Sequence, residues 1–254
     1  MKVHKMNAQH ERGSSDIARR LNALTVGTFA RFSGCISDGD DDRPTVSADA
    51  LLDTSMRQSI SGRFRGRFEF FDERAVHSIW MRWYLRVLVP PFLLADILLD
   101  WTPPVALEDV RFIVGPDARI EAVKLLSAGQ NTGGVEPFVR FRELIFGHLA
   151  PLIEIFAERT SVTRRVYWSN VGDEFEAMLR RIEQIAGRLP RLLEAQDILE
   201  QQTWPDNQAN PIFNAVIYKS GNPSPRVRRV CCLQYLLPDR RFCSACPVTC
   251  RSEK

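Results

Sequence analysis

Apolar residues recur at helical spacing along most of the chain. From Asp72 a helix is predicted with Ala75, Ile79, Trp83 and Val87 on one face, Asp72 as its N-cap, and a stop or kink at Pro90-Pro91 before Phe92 to Leu99. Residues Pro137 to Arg159 form a second long pattern, with Phe141, Leu144, Ile145, Leu149, Leu152, Ile153 and Phe156 as the buried stripe and Pro151 as a kink. Helices are also predicted over Asp16–Phe32, interrupted near Gly27, over Ala48–Met56, over Thr163–Gly187 and over Arg191–Gln202.

Period-two stretches are fewer. Arg63, Arg65 and Arg67 alternate with phenylalanines, which predicts a strand running to Phe71. Val105–Val114 and Arg119–Leu126 predict a hairpin across Gly115-Pro116-Asp117, and Ala215–Tyr218 a short strand inside a proline-rich loop. The expected fold class is α+β and mainly α-helical: one compact body with a small antiparallel hairpin and a C-terminal cysteine lobe. Residues 1–14 read as a disordered tail, 15–225 as the body and 226–254 as the cysteine region.

The chain has 254 residues, 44 % of them hydrophobic, enough to bury a substantial core. Its longest apolar run, Val87 to Leu99, is broken by Pro90, Pro91 and Asp96, so no transmembrane segment is expected, although peripheral association with a membrane is left open. The N-terminus lacks the apolar region of a secretory signal, which predicts a cytoplasmic protein whose thiols stay reduced. Ser37 to Arg43 collects four aspartates, but the order does not match a calcium loop and it reads as solvated. His148 and His77, each alone, read as core or rim residues. No dinucleotide, phosphate-loop or nucleophile-elbow motif is present, so the chain carries no nucleotide fingerprint or hydrolase nucleophile of those kinds.

Charge is uneven. From Arg226 onward seven Lys and Arg face two acids, whereas the formal charge of the whole chain is only +3. Nucleic acid is not the expected partner, because no helix-turn-helix or basic-aromatic repeat accompanies this basic tail.

Chemistry concentrates in the same tail. Cys231 and Cys232 are adjacent, and a C-x-x-C pair, Cys243 and Cys246, follows after ten residues. A C-x-x-C turn brings two sulfurs onto one metal, in zinc and iron-sulfur sites alike. In a strand, neighbouring side chains point to opposite faces, so the vicinal pair can serve one centre only on a bent or twisted backbone. Spacing alone leaves zinc, iron-sulfur and a pair of disulfides as alternatives, and a reducing compartment disfavours the last. Cys250 and Cys35 lie outside the four-thiol pattern.

The string R-R-V-C-C-L-Q-Y-L-L-P with C-S-A-C-P resembles the C-terminal signature of the FhuF-like siderophore-iron reductases. Tyr167-Trp168-Ser169-Asn170 and Asn210-Pro211-Ile212-Phe213 are similar to weaker landmarks of that family, so the resemblance runs from about Asp72 to Pro247. It implies a [2Fe-2S] cluster on Cys231, Cys232, Cys243 and Cys246, a ferric siderophore as substrate, and a separate electron donor such as a ferredoxin or flavin reductase. The alternative function is a zinc-binding structural or interaction module without redox activity.

Aromatic and basic residues supply candidates for the substrate site. Trp80, Arg82, Trp83 and Tyr84 on the first long helix, with Trp168 and Asn170 of the W-x-N element, are the candidate walls for an iron chelate, against the alternative that they are core and helix surface. Arg228, Arg229, Arg240 and Arg241 lie within a few residues of the cysteines. They are candidates for docking an acidic donor or raising the potential of a negatively charged cluster.

Overall fold

The computed structural model describes residues 16–37, 41–220, 224–238 and 240–249. The expected N-terminal tail, Cys250 and part of the aspartate loop lie outside them. Within that loop Asp41 is described, and it accepts hydrogen bonds from Ser37 and Arg43.

Helix α1 covers residues 16–24 and is followed by a 3-10 turn, Gly27–Phe32, so the predicted interruption at Gly27 is present, with φ of +54° at that glycine. Short strands β1 (Ile36–Ser37) and β2 (Thr45–Ser47) come next, then helix α2 (Thr54–Arg65), whose N-cap Asp53 accepts from the Met56 amide. The strand predicted from Arg63 is therefore incorrect. Phe64 and Phe68 are four residues apart as well as an even number apart, and their rings meet edge to face with centroids 5.8 Å apart as the helix ends. Phe64 goes into the core, while Phe70 remains 74 % exposed, which an inward-facing strand would not allow.

Helix α3 (Glu73–Leu99) starts at the predicted cap, the Asp72 carboxylate accepting from the Arg74 amide, and continues past Pro90 and Pro91. The expected stop does not occur. Two internal prolines remove two backbone donors at about 3 kcal/mol each, but every residue from Val87 to Ile97 is buried, and that packing outweighs the loss. The helix ends at Asp100, which takes the left-handed conformation.

After β3 (Trp101–Thr102) the predicted hairpin is present as β4 (Val110–Val114) and β5 (Ile120–Leu125). They lie at the centre of a four-stranded sheet of order β1-β5-β4-β2, in which only β1 pairs in parallel. The hairpin turn is fixed to α3 because the Ala118 carbonyl accepts from the Trp80 indole at 2.9 Å. Strand β6 (Gln130–Asn131) pairs with β3.

The second long pattern is continuous but not uniform: α4 (Pro137–Arg142), a π-helical turn (Glu143–Leu149) and α5 (Ala150–Arg159). Pro151 has no amide to offer one turn back. The register shifts just before it, so that the Ala150 amide donates to the Ile145 carbonyl. His148, inside this turn, is fully buried between the Tyr84 hydroxyl and the Val105 carbonyl, which makes it the core histidine expected.

Helix α6 (Arg164–Ala186) packs along α3 more extensively than any other pair of elements, and α7 (Pro190–Glu200) covers its far end. Asp96, which interrupts the apolar run of α3, is fully buried where these layers meet. Its carboxylate is 3.0 Å from Arg140 of α4 and 2.9 Å from Arg191 of α7, so two cations offset the cost of burying it. The predicted strand at 215–218 appears as β7 (Val216–Tyr218), antiparallel to β8 (Arg226–Arg228). Gly172 of α6 allows this region to sit close, since a Cβ there would collide with Ala215. No helix among the described residues is long and apolar enough to cross a membrane.

Candidate metal centre

Strand β8 ends at Arg228, and the vicinal cysteines follow in irregular backbone. Leu233 takes a left-handed φ of +64°, which turns the chain back into a short 3-10 turn, Gln234–Leu236. This bend resolves the difficulty of two adjacent thiols, since they do not sit in a pleated strand. The C-x-x-C turn closes with the Cys246 amide donating to the Cys243 carbonyl at 3.0 Å, and it is tied to β8 by the Arg228 amide donating to the Ala245 carbonyl at 2.9 Å. Cys232 and Cys243 thereby stand 3.9 Å apart, sulfur to sulfur.

The thiols of Cys231, Cys232 and Cys243 influence one another. Contact with Cys231 and then Cys243 holds the Cys232 thiol far below its ordinary range, and the nearby Arg82 and Arg228 charges add to this. Sharing with Cys232, together with burial, pushes Cys231 and Cys243 up. The Leu233 amide donates to the Cys231 sulfur at 3.4 Å, and an Arg82 guanidinium nitrogen lies 3.4 Å from the Cys232 sulfur. A two-iron centre divides four thiolates between two ions. This donor set, all sulfur and supplied with hydrogen-bond donors and positive charge, suits a negatively charged iron-sulfur group.

A buried polar chain holds the tail against the body. Ser78 of α3 donates to the Cys232 carbonyl at 2.9 Å, and Asn170 of α6 donates to the Ser78 hydroxyl at 3.0 Å. Asn170 in turn accepts from Arg228, which pairs with Asp173 at 3.0 Å. Arg226 completes the set against Asp173 at 2.8 Å. Asn170 is therefore a buried strut beneath the cysteines, and the W-x-N element acts there through its amide. Ser78 and Asp173 were not singled out from the sequence, where the only signal was a polar residue inside a helical apolar stripe, and Arg226 of β8 was read only as part of the basic tail.

The candidate substrate residues divide. Trp80 is buried and stacked on Phe156, and Tyr84 is buried against Phe112 and His148, so both belong to the core and are not pocket walls. Trp168 is half-buried against the core of α6. Arg82 and Trp83 do face an opening: they line a cavity of about 200 Å³ with Ile79, Arg86, Gln234 and Arg240. Arg228, expected in an exposed collar, is 1 % exposed and ion-paired, so it cannot dock a partner. Arg229, Arg240 and Arg241 are exposed. Tyr235 and Phe242 stack across the cysteine loop with ring centroids 4.9 Å apart. Cys35 lies away on β1's approach, its thiol pushed up to about 11 by burial.

Comparison with known proteins agrees with this geometry. Residues 78–222 match the family described as "Ferric iron reductase FhuF-like transporter", and residues 228–247, which include all four cysteines, match the "FhuF 2Fe-2S C-terminal domain". The chain is 24 % identical over 176 residues to a protein of Escherichia coli (strain K12) named ferric siderophore reductase, a match covering 69 % of this chain and 66 % of that protein. Among solved structures, it is similar in fold to the aerobactin synthetase IucC from a hypervirulent pathotype of Klebsiella pneumoniae. That likeness has a TM-score of 0.50 at 12 % identity, covering 68 % of this chain and 36 % of the synthetase. With its body and its [2Fe-2S] segment both matched, the chain belongs to the FhuF-like ferric iron reductase family.

Proposed function

We propose that the protein is a cytoplasmic ferric-siderophore reductase whose [2Fe-2S] cluster is held by Cys231, Cys232, Cys243 and Cys246. The observation that carries this reading is the contact between Arg82 and Cys232. One side chain both lines an open cavity and reaches a cysteine sulfur, so a chelate seated in that cavity lies one residue from the redox centre. A bound cluster supplies single electrons. The chain's own residues hold it, set its potential and position the ferric chelate beside it.

Hard oxygen donors hold Fe(III) largely through its charge, so one electron weakens the complex and lets Fe(II) leave to other ligands. No proton transfer is needed in that step, in keeping with a cavity that presents arginines and an indole. The electron comes from a separate donor, a ferredoxin or a flavin reductase, because NAD(P)H delivers a hydride and a one-electron centre cannot accept it directly. Exposed Arg229 and Arg241 are the proposed docking residues for an acidic donor.

Anaerobic purification tests the reading. The expected product is red-brown, with about two iron and two sulfide per chain, and when reduced it converts a ferric siderophore to Fe(II) trapped by a chromogenic chelator. Colourless protein with stoichiometric zinc and no ferric reduction would overturn it.

A further inference from the structure

The cavity beside Cys232 has a neighbour. Trp83 and Arg86 also line a second cavity of about 380 Å³, together with Arg31, Phe32, Ser33, Cys35, Arg119 and Glu121 among others. The larger of the two lies within the size range of small-molecule sites, about 300–1,000 Å³. Their lining carries five arginines, Arg31, Arg82, Arg86, Arg119 and Arg240, and one carboxylate, Glu121, which already pairs with Arg43 at 3.3 Å.

The positive charge is only partly offset. The buried Glu174 lies 3.9 Å from Arg31 and also interacts with Arg86 and Arg82, and Arg119 pairs with Asp117 at 2.7 Å, so the arginines still outnumber these carboxylates. Among the described residues no carboxylate pairs with Arg82, Arg86 or Arg240; Arg82 donates instead to the neutral Gln234 side chain at 3.1 Å. Two of these cations converge on one ring, with Arg86 5.3 Å and Arg119 5.0 Å from the centroid of Trp83. The ring attracts each of them, but they repel each other. Burial first, and then the neighbouring Arg181 charge, hold the Arg31 guanidinium below its ordinary range, against the opposing charge of Glu174 and with a smaller contribution from Arg86. A concave surface of one sign concentrates the field on whatever enters.

Resting on the proposed reductase function, we propose that this Trp83-centred groove is the chelate seat and that it selects ferric siderophore complexes of net negative charge. The arginines neutralise excess ligand charge, Trp83 offers an apolar floor, and the end at Arg82 and Arg240 brings the iron beside the cysteine loop. A chelate whose ligand charges only cancel those of the metal gains no such attraction.

Gallium(III) complexes test seat and charge class without electron transfer, since gallium(III) is not reduced under these conditions. Binding to the cluster-loaded protein is measured with a gallium(III) tricatecholate, which is anionic, and a gallium(III) trihydroxamate, which is neutral. The expected result is at least about tenfold tighter binding of the tricatecholate, with Arg86→Gln and Arg119→Gln each weakening it roughly tenfold and leaving the trihydroxamate unchanged. Arg188→Gln, in the exposed turn just after α6, should alter neither. Equal affinity for both complexes would overturn the charge selection, and tricatecholate binding unaffected by both groove variants would overturn the seat. Groove variants that leave chelate binding intact but slow reduction by the donor protein would make the groove a donor dock, which also overturns the proposal. The ferric forms of the same two chelates are assayed in parallel: failure to reduce either one would defeat the reductase reading itself, while reduction of both with no charge preference in binding would defeat only the inference drawn here.

Discussion

Arg228 donates to the Asn170 side-chain oxygen at 2.5 Å, so the arginine just ahead of the vicinal cysteines is held by the same amide that, through Ser78, steadies the Cys232 carbonyl. Asn170 is 2 % and Arg228 1 % exposed, and neither can recover a lost partner from water. Asn170→Ala should lower stability by about 2 kcal/mol and loosen the cysteine loop, giving slower cluster reconstitution and lower iron content at a melting temperature only modestly reduced. Iron and sulfide analysis alongside thermal denaturation checks this. Full iron content at normal reconstitution rates would reduce Asn170 to ordinary core polarity.

The four-thiol assignment makes a separate claim. Serine at Cys231, Cys232, Cys243 or Cys246 should remove the visible absorbance of the cluster and the ferric reduction, while Cys35→Ser should spare both, since its thiol sits in the distant half of the groove. Cys250→Ser is the discriminating control. Retention of the full cluster supports the four ligands, whereas its loss would mean that Cys250 replaces one of them.

Sequence reading succeeded where the information was local. The cysteine spacing, the Asp72 cap, the hairpin turn at Gly115 and the interruption at Gly27 each depend on a few adjacent residues, and each is present. It failed where tertiary packing decided. Pro90-Pro91 reads as a break until Val87 to Ile97 are known to be buried on all sides, and Arg228 reads as surface charge until Asp173 and Asn170, far away in the chain, are placed around it. Phe64 and Phe68 fit both a strand and a helix spacing, and only burial separates the two. The groove was half legible. Arg82, Trp83 and Arg86 lie on one helix and share a face, but Arg31 and Arg119 join them from the 3-10 turn and the hairpin, which no local pattern reveals.

Arg82 should act on the cluster's potential directly. Its guanidinium lies 3.4 Å from the Cys232 sulfur and is only partly exposed, so solvent screens it less than it screens Arg229 or Arg241. A positive charge there favours the reduced, more negative state. Arg82→Gln is expected to lower the potential, by about 59 mV for each 1.4 kcal/mol of lost attraction, with little change as salt is raised. Reversal of the exposed Arg241 to glutamate should mainly slow donor-driven reduction, and most at low salt. Potentiometry and stopped-flow reduction separate the two effects; an unchanged potential in Arg82→Gln would remove this arginine from the redox argument.

His148 sets the acid limit of the body. Its Nδ1–H donates to the Val105 carbonyl at 2.5 Å and its Nε2 accepts from the Tyr84 hydroxyl, so the folded protein holds the neutral ring. Burial pushes its pKa down from 6.5 to about 4, opposed by the bond to Val105. The unfolded chain takes up a proton near 6.5 and the folded chain resists until about 4, so between those values the unfolded state binds more protons and stability falls as pH falls. This contribution is intact above 6.5 and fully lost below about 4. Urea unfolding at a series of pH values should show that slope in the native protein and a flatter one in His148→Gln, which will also be less stable at neutral pH because the bond to Tyr84 or Val105 is weakened. Carboxylates such as the half-buried Asp41 and the exposed Asp53, whose own pKa values are lowered by their hydrogen bonds, lose their contribution at lower pH in both proteins and do not mimic the difference. Identical slopes in the two proteins across that window would show that the His148 ring takes up its proton in the folded state as readily as in the unfolded chain.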